Sequence, residues 1–190
     1  AVAMVAGVSM ADVMLTQDFS AINVVVDDLA YSNERGIGVW LGGNATRIYT
    51  NTTEQLVINS GDNGSGRGAG IMLDSTILTD GAGTYNLSLD VVNLWNNAAL
   101  EVSVWEGFES VGNPYFFDLV GTVAAGVGGV STATVNQLAT QTYLNGVVEG
   151  TTVNMDFTYD GSSDIVLLFG MTGLTGTKQA GVIDNVVVSS

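Results

Sequence analysis

Carboxylates are almost the only chemically reactive side chains this chain offers. Its 190 residues hold 19 Asp and Glu against 4 Lys and Arg, with no His and no Cys. Nucleophiles activated by imidazole or built on a thiolate are therefore excluded, as are histidine or cysteine metal sites and any disulfide. Carboxylates acting alone have two main uses: in pairs across a glycosidic bond, or as ligands for a hard cation such as calcium. The sequence offers a candidate pair in Glu106 and Glu109, which lie close in Trp105-Glu106-Gly107-Phe108-Glu109, with Glu101 preceding them on a strand. Among 19 acids such proximity arises by chance, and no histidine is present to relay a proton, so the sequence points to a non-catalytic protein.

The same residues offer a binding reading. If Leu100, Val102 and Val104 point inward, then Glu101, Ser103 and Trp105 share the outward face. A tryptophan beside a carboxylate suits a glycan: the ring stacks on the sugar and the acid takes a hydroxyl. Trp40, Trp95 and the cluster Tyr115-Phe116-Phe117 offer further flat faces. The competing fate of all these aromatics is the core or a subunit contact.

Cation ligation has its own candidates. In a strand over 181–188, Asp184 shares a face with Val182, Val186 and Val188, while Ile183 and Val187 occupy the other. Apolar neighbours on both sides imply partial burial, and a buried carboxylate must be neutralised, paired or placed on a cation. Bases are scarce, so calcium competes with a turn-capping role in which the acid accepts backbone N–H groups. Asp27-Asp28, Asp62-Asn63-Gly64 and Asp160 to Asp164 are further oxygen-rich turns, but none closes as a twelve-residue calcium loop. The glycine-rich run from Gly61 to Gly70 fails the spacing of a phosphate-binding loop. A net charge of −15 repels nucleic acid and anionic membrane surfaces, and no apolar run approaches the ~18 residues of a membrane-spanning helix, so neither nucleic acid nor membrane insertion is expected.

The elements that must position these groups read as strands. Segments at 13–19, 22–26, 37–41, 46–50, 55–59, 71–78, 84–92, 99–105, 116–124, 147–159, 164–171 and 181–188 are rich in Val, Ile, Leu, Thr and aromatics, and Gly, Asn, Asp and Ser clusters separate them. Tyr85, Leu87, Leu89 and Val91 alternate with Asn86, Ser88 and Asp90; Val153, Met155, Phe157 and Tyr159 alternate with Asn154, Asp156, Thr158 and Asp160. The one helical candidate is 134–145, where Val135, Leu138 and Ala139 fall at helical spacing in a threonine-rich stretch. Many short strands at regular spacing predict an all-β fold, an antiparallel β-sandwich, with residues 12–190 as one domain.

Residues 1–11 carry two readings. Ser9-Met10-Ala11 fits the small-x-small pattern of a signal-peptidase site, making the segment an export remnant. Alternatively, Val2, Met4, Val8 and Met10 fall on one face of a strand that a neighbouring subunit's groove would accept, joining copies into a homopolymer by strand donation. Both place the protein outside the cytoplasm. Sequons at Asn44, Asn51, Asn63 and Asn86 permit glycosylation.

The closing segment Gly181-Val182-Ile183-Asp184-Asn185-Val186-Val187-Val188 resembles the last strand of jelly-roll carbohydrate-binding modules. The order of Gly83 to Asp90, a Val/Leu strand at 100–105, then Asp164 to Phe169 before the close is similar to secreted bacterial proteins of the PEP-CTERM, exosortase-sorted type, although no Pro-Glu-Pro sorting tail is present. The resemblance spans about 70–190, with specificity only in the closing strand. It implies a jelly-roll-like sandwich and a structural Ca²⁺ between the first and last strands, held here by Asp18 with Asp184. The sequence thus leads to a secreted structural subunit of a surface filament, layer or matrix. A calcium-stabilised carbohydrate-binding module, with Trp105 and Glu101 at its glycan site, is the alternative.

Overall fold

The computed structural model describes residues 11–20, 31–32, 39–42, 48–50, 53–59, 68–73, 76–106, 136–172 and 180–190. Among these, every regular element is a strand: β1 (Val13–Gln17), β2 (Tyr31–Ser32), β3 (Val39–Gly42), β4 (Ile48–Thr50), β5 (Leu56–Asn59), β6 (Gly68–Leu73), β7 (Gly83–Trp95), β8 (Ala99–Glu106), β9 (Asn136–Leu144), β10 (Thr151–Tyr159), β11 (Ile165–Thr172) and β12 (Ala180–Ser189). They form two six-stranded antiparallel sheets. One runs β10-β7-β12-β5-β4, with β1 also paired to β12; the other runs β2-β3-β6-β11-β8-β9. The protein is an antiparallel β-sandwich of jelly-roll-like form.

Alternation builds the core. The inward residues of β7 (Tyr85, Leu87, Leu89, Val91) and of β10 (Val153, Met155, Phe157, Tyr159) meet Leu100, Val102 and Val104 of β8 and Ile165, Leu167, Phe169 and Met171 of β11 in one apolar cluster. Tyr85 stacks on Phe157 with centroids 5.6 Å apart and meets Tyr159 edge-on at 6.2 Å. Both tyrosine hydroxyls find acceptors at the margin of the core. Tyr85 donates to the Gly81 carbonyl at 2.6 Å, and Tyr159 donates to that of Ser163, so neither ring carries an orphaned polar tip into the interior.

Four register shifts interrupt the alternation. On β1, Val13↔Ser189 is followed by Leu15↔Val188, leaving Met14 as an extra residue. On β7, Val182↔Asn93 is followed by Ile183↔Val91, which leaves Val92 as an extra residue. On β12, Asp184↔Asp90 is followed by Val187↔Ser88, so Asn185 and Val186 together face Leu89. On β9, Val104↔Ala139 is followed by Trp105↔Gln137, leaving Leu138 unpaired. Each inserts one residue and reverses the faces beyond it.

Several expectations need correction. The helical candidate at 134–145 is the strand β9, because its threonines are β-branched and its backbone pairs with β8 from Glu106 to Ala99, which outweighs three apolar residues at helical spacing. The strand expected at 71–78 ends at Leu73, and residues 76–80 form turns closed by Thr79 N–H to Ile77 O and Gly81 N–H to Leu78 O. The strand expected from 147 starts at Thr151, since Gly146 (φ 76°) and Gly150 (φ 72°) hold the preceding stretch in a turn. The segments at 22–26 and 116–124, and the proposed assembly strand with Val2, Met4, Val8 and Met10, lie outside the described residues.

Removing the ring at the centre of the aromatic group leaves a cavity between the sheets. Phe157→Ala should cost about 3–5 kcal/mol of unfolding free energy in urea titrations; a loss below about 1 kcal/mol would place Phe157 outside the structural core.

Candidate functional site

The outward row of β8 holds the two residues the sequence marks for ligand binding. Leu100, Val102 and Val104 belong to the core cluster, so Glu101, Ser103 and Trp105 project from the opposite face. Trp105 donates its indole N–H to the Ser103 hydroxyl at 2.9 Å, and Ser103 is only 1% exposed. This bond fixes the ring and satisfies the serine. Trp105 and Glu101 are half-buried and about 13 Å apart along the strand. On the β11 side Trp105 pairs with Val166, Ser103 with Leu168 and Glu101 with Gly170, all three buried, so the row is closed there. On the β9 side Glu101 pairs with Thr142, Ser103 with Thr140 and Trp105 with Gln137, all three exposed. The result is a half-open strip: an oriented indole, a carboxylate, two hydroxyls and an amide.

Burial pushes the Glu101 carboxyl above its ordinary range. Glu106 lies five residues from Glu101 and so faces the other side of β8, which means the two cannot flank one sugar bond. Its Oε1 accepts from the Asn136 amide at 2.8 Å, and its Oε2 is buried with no hydrogen-bond partner among the described residues. Glu109 and Tyr115-Phe116-Phe117 fall outside the described residues, as do Asn44, Asn51 and Asn63; of Trp40 only the backbone, in β3, is described. Asn86 is described, and its amide is committed to Asp156 at 2.7 Å in the middle of β7.

The proposed metal pair sits elsewhere, on the first sheet near the end of β1. Because of the β12 insertion, Asp184 does not share a face with Val186 and Val188. Those two join Ile183 in the core, and Asp184 lies outward with Val187, half-buried. Burial pushes its carboxyl up. The backbone N–H of Asn185 (2.8 Å) and the Gln55 side chain pull it back, and the charges of Asp90 and Asp18 push it up further. Asp90 is held below its ordinary range by the Thr152 hydroxyl and the Asn185 amide, the latter at 2.8 Å. Asp18 accepts from the Ser20 N–H at 3.1 Å and hydroxyl at 2.8 Å. Three non-glycine residues with left-handed backbones adjoin these groups: Phe19 (φ 56°), Glu54 (φ 61°) and Asn185 (φ 48°). The buried Gln17 amide oxygen stabilises the first by accepting the Phe19 N–H at 2.9 Å.

This corner brings Asp18 and Asp184 within reach of each other's charge, as the calcium expectation requires. Its donors are hard oxygens, the type calcium prefers. Among the described residues no three acids converge on one point, so the pair supplies two charged ligands and amide, carbonyl or water oxygens must supply the rest. Asp90 and Gln55, which the sequence reading did not include, belong to the same neighbourhood. The exposed Thr140, Thr142 and Gln137 were likewise hidden by the helical spacing of 134–145.

With this geometry established, the chain can be set beside known proteins. No protein-family model matches it, and neither does any curated protein. Among solved structures it is similar to the CBM22-1 xylan-binding domain of Paenibacillus barcinonensis Xyn10C, at 15% identity and TM-score 0.44, covering 94% of each chain. It is also similar to the CBM22-1-GH10 modules of the Clostridium thermocellum endo-1,4-β-D-xylanase 10B complexed with xylohexaose, at 15% identity and TM-score 0.44, covering 93% of this chain and 28% of that one. A third is TmCBM61 in complex with β-1,4-galactotriose, at 10% identity and TM-score 0.39, covering 83% and 85%. No helix among the described residues is long and apolar enough to cross a membrane.

The raised Glu101 carboxyl has a pH signature. Its proton is held more tightly in the folded than in the unfolded chain, so its contribution is favourable below the ordinary carboxylate range and is lost as pH rises through the raised value. Glu101→Gln should therefore melt above the parent at about pH 7, with the gap closing below about pH 4. A gap that widens on acidification would contradict this assignment.

Proposed function

We propose that this chain is a non-catalytic, extracellular glycan-binding module whose ligand lies along the β8 strip. The observation that carries the reading is Trp105. Its edge is pinned by Ser103, its face is left half-open, and Glu101, Thr140, Thr142 and Gln137 stand beside it. A pyranose has an apolar face of C–H groups and a rim of hydroxyls; a preset indole matches the first, and carboxylate, amide and hydroxyl oxygens match the second. Presetting also lowers the rotamer entropy lost on binding. The opposed orientation of Glu101 and Glu106 leaves this strip, among the described residues, without the facing acids that hydrolysis would need. The composition agrees, since it supplies no imidazole or thiol.

Affinity electrophoresis through gels containing neutral plant, algal and bacterial polysaccharides tests the reading. At least one should retard the protein, and Trp105→Ala should weaken that interaction about tenfold or more, roughly 1.4 kcal/mol. A chain that runs unretarded through the whole panel is not a glycan-binding module.

Calcium belongs to the same proposal as a structural ion at Asp18 and Asp184, where it would relieve the repulsion between the half-buried Asp184 carboxylate and the exposed Asp18. Calcium at a hundredfold excess over its Kd should add about 2.7 kcal/mol to unfolding relative to chelator, and Asp184→Asn should abolish that gain. Identical melts with calcium and chelator would remove the ion.

A further inference from the structure

We infer that the β7–β8 turn, which carries the chain from one sheet to the other and is built on Trp95 and Asn97, is a second contact point for a neutral sugar, separate from the β8 strip; this rests on the glycan-binding reading above. The argument begins with the bulge at Val92. Uninterrupted alternation from Tyr85 through Val91 would send residues 93 and 95 into the core. The extra residue reverses the faces, so that Leu94 enters the core and Trp95 emerges 44% exposed. An exposed tryptophan placed by a deliberate register break is not a side chain displaced from a crowded interior.

The turn that follows presents polar groups as well as the ring. Asn96 (φ 58°) and Asn97 (φ 56°) are both left-handed, and Ala98 N–H closes on Trp95 O at 3.2 Å, the pattern of a type I′ β-turn, here between strands of different sheets. Glycine is the usual second residue of such a turn. Asparagine there accepts backbone strain and keeps a side-chain amide at the tip. Neither that Asn97 amide nor the Trp95 indole N–H has a hydrogen-bond partner among the described residues, in contrast to Trp105, whose N–H is spent on Ser103. The tip is also braced. Asn145 on the adjoining β9–β10 turn donates its backbone N–H to Ala98 O at 3.2 Å and its amide to Leu94 O, while the Glu149 carboxylate takes the Gly146 N–H at 2.7–2.8 Å.

An exposed indole and an amide beside it, neither bonded to any described residue, on a rigid support form a recognition surface for a ring with one apolar face and hydroxyls at its edge. Charge selects the occupant. Neither turn contains a Lys or Arg to attract an acidic sugar, and a second copy of this chain would bring another net −15 to the contact, whereas a neutral sugar meets no such penalty.

The experiment titrates the polysaccharide that retards the parent against Trp95→Ala, Asn97→Gly and Trp105→Ala, with melting curves and sedimentation velocity for each. Asn97→Gly keeps the left-handed backbone and removes only the amide. Trp95→Ala should lower affinity about fivefold or more, and Asn97→Gly by a smaller factor, with melting and sedimentation unchanged. Parent-like affinity in Trp95→Ala alongside loss in Trp105→Ala overturns the tip and leaves the β8 strip standing. Loss in Trp95→Ala with parent-like Trp105→Ala supports the tip and removes the strip. No binding by the parent at all ends both, and a parent that sediments as a dimer while Trp95→Ala sediments as a monomer makes the tip a contact between copies and overturns the inference.

Discussion

Period-two alternation, together with the places where it is broken, decides what this sandwich shows to solvent. A strand sends successive side chains to opposite faces, so one inserted residue exchanges the buried and exposed sets from that point on. The insertion at Val92 puts Leu94 into the core and Trp95 outside it; that at Asn185 and Val186 turns Asp184 outward while Val186 and Val188 stay buried. Another, at Leu138, keeps Ala139 and Leu138 against the core while Gln137 comes to sit beside Trp105. Trp95, Asp184 and Gln137 lie at or just beyond one of these breaks, whereas the outward row of Glu101, Ser103 and Trp105 needs none.

The handling of charge follows from the scarcity of bases. Where carboxylate partners are described, they are neutral donors: Thr152 and Asn185 for Asp90, Asn86 for Asp156, Ser162 for Asp160, Ser20 for Asp18 and the Gly146 backbone for Glu149. Such bonds stabilise the ionised form without cancelling its charge, so Asp90 and Asp160 are held low while the acidic field of the molecule persists. Asp184 and Glu101 differ because burial dominates at each, and both are pushed up. These two acids are therefore the places where a donor from outside, whether a cation or a sugar hydroxyl, gains most.

Much of this was legible in the residues. The alternation of β7 and β10 and the inward Leu100, Val102 and Val104 follow from apolar spacing alone, as does the outward row of Glu101, Ser103 and Trp105. What could not be read was local register. Nothing in Val91-Val92-Asn93 announces an extra residue, since Val is at home on either face of a strand, and Asp184-Asn185-Val186 reads as ordinary alternation until Asn185 is seen at φ 48°. At β9 the misreading had the opposite origin: Leu138 and Ala139 are neighbours that both reach the core only because the bulge lies between their pairings, and adjacency of that kind mimics a helical face.

The two described tryptophan side chains show how one residue type takes different roles on one scaffold. Trp105 spends its N–H on Ser103 and stands half-buried in a strip sealed along β11, so what it offers is a fixed plane. Trp95 spends its N–H on no described residue, stands farther out, and is braced at the adjoining backbone by the Asn145 clamp, so it offers a plane and a donor together. In neither case does the protein need to reorganise to receive a ring. Presetting of this kind, on a scaffold with no imidazole or thiol, serves recognition rather than bond-making.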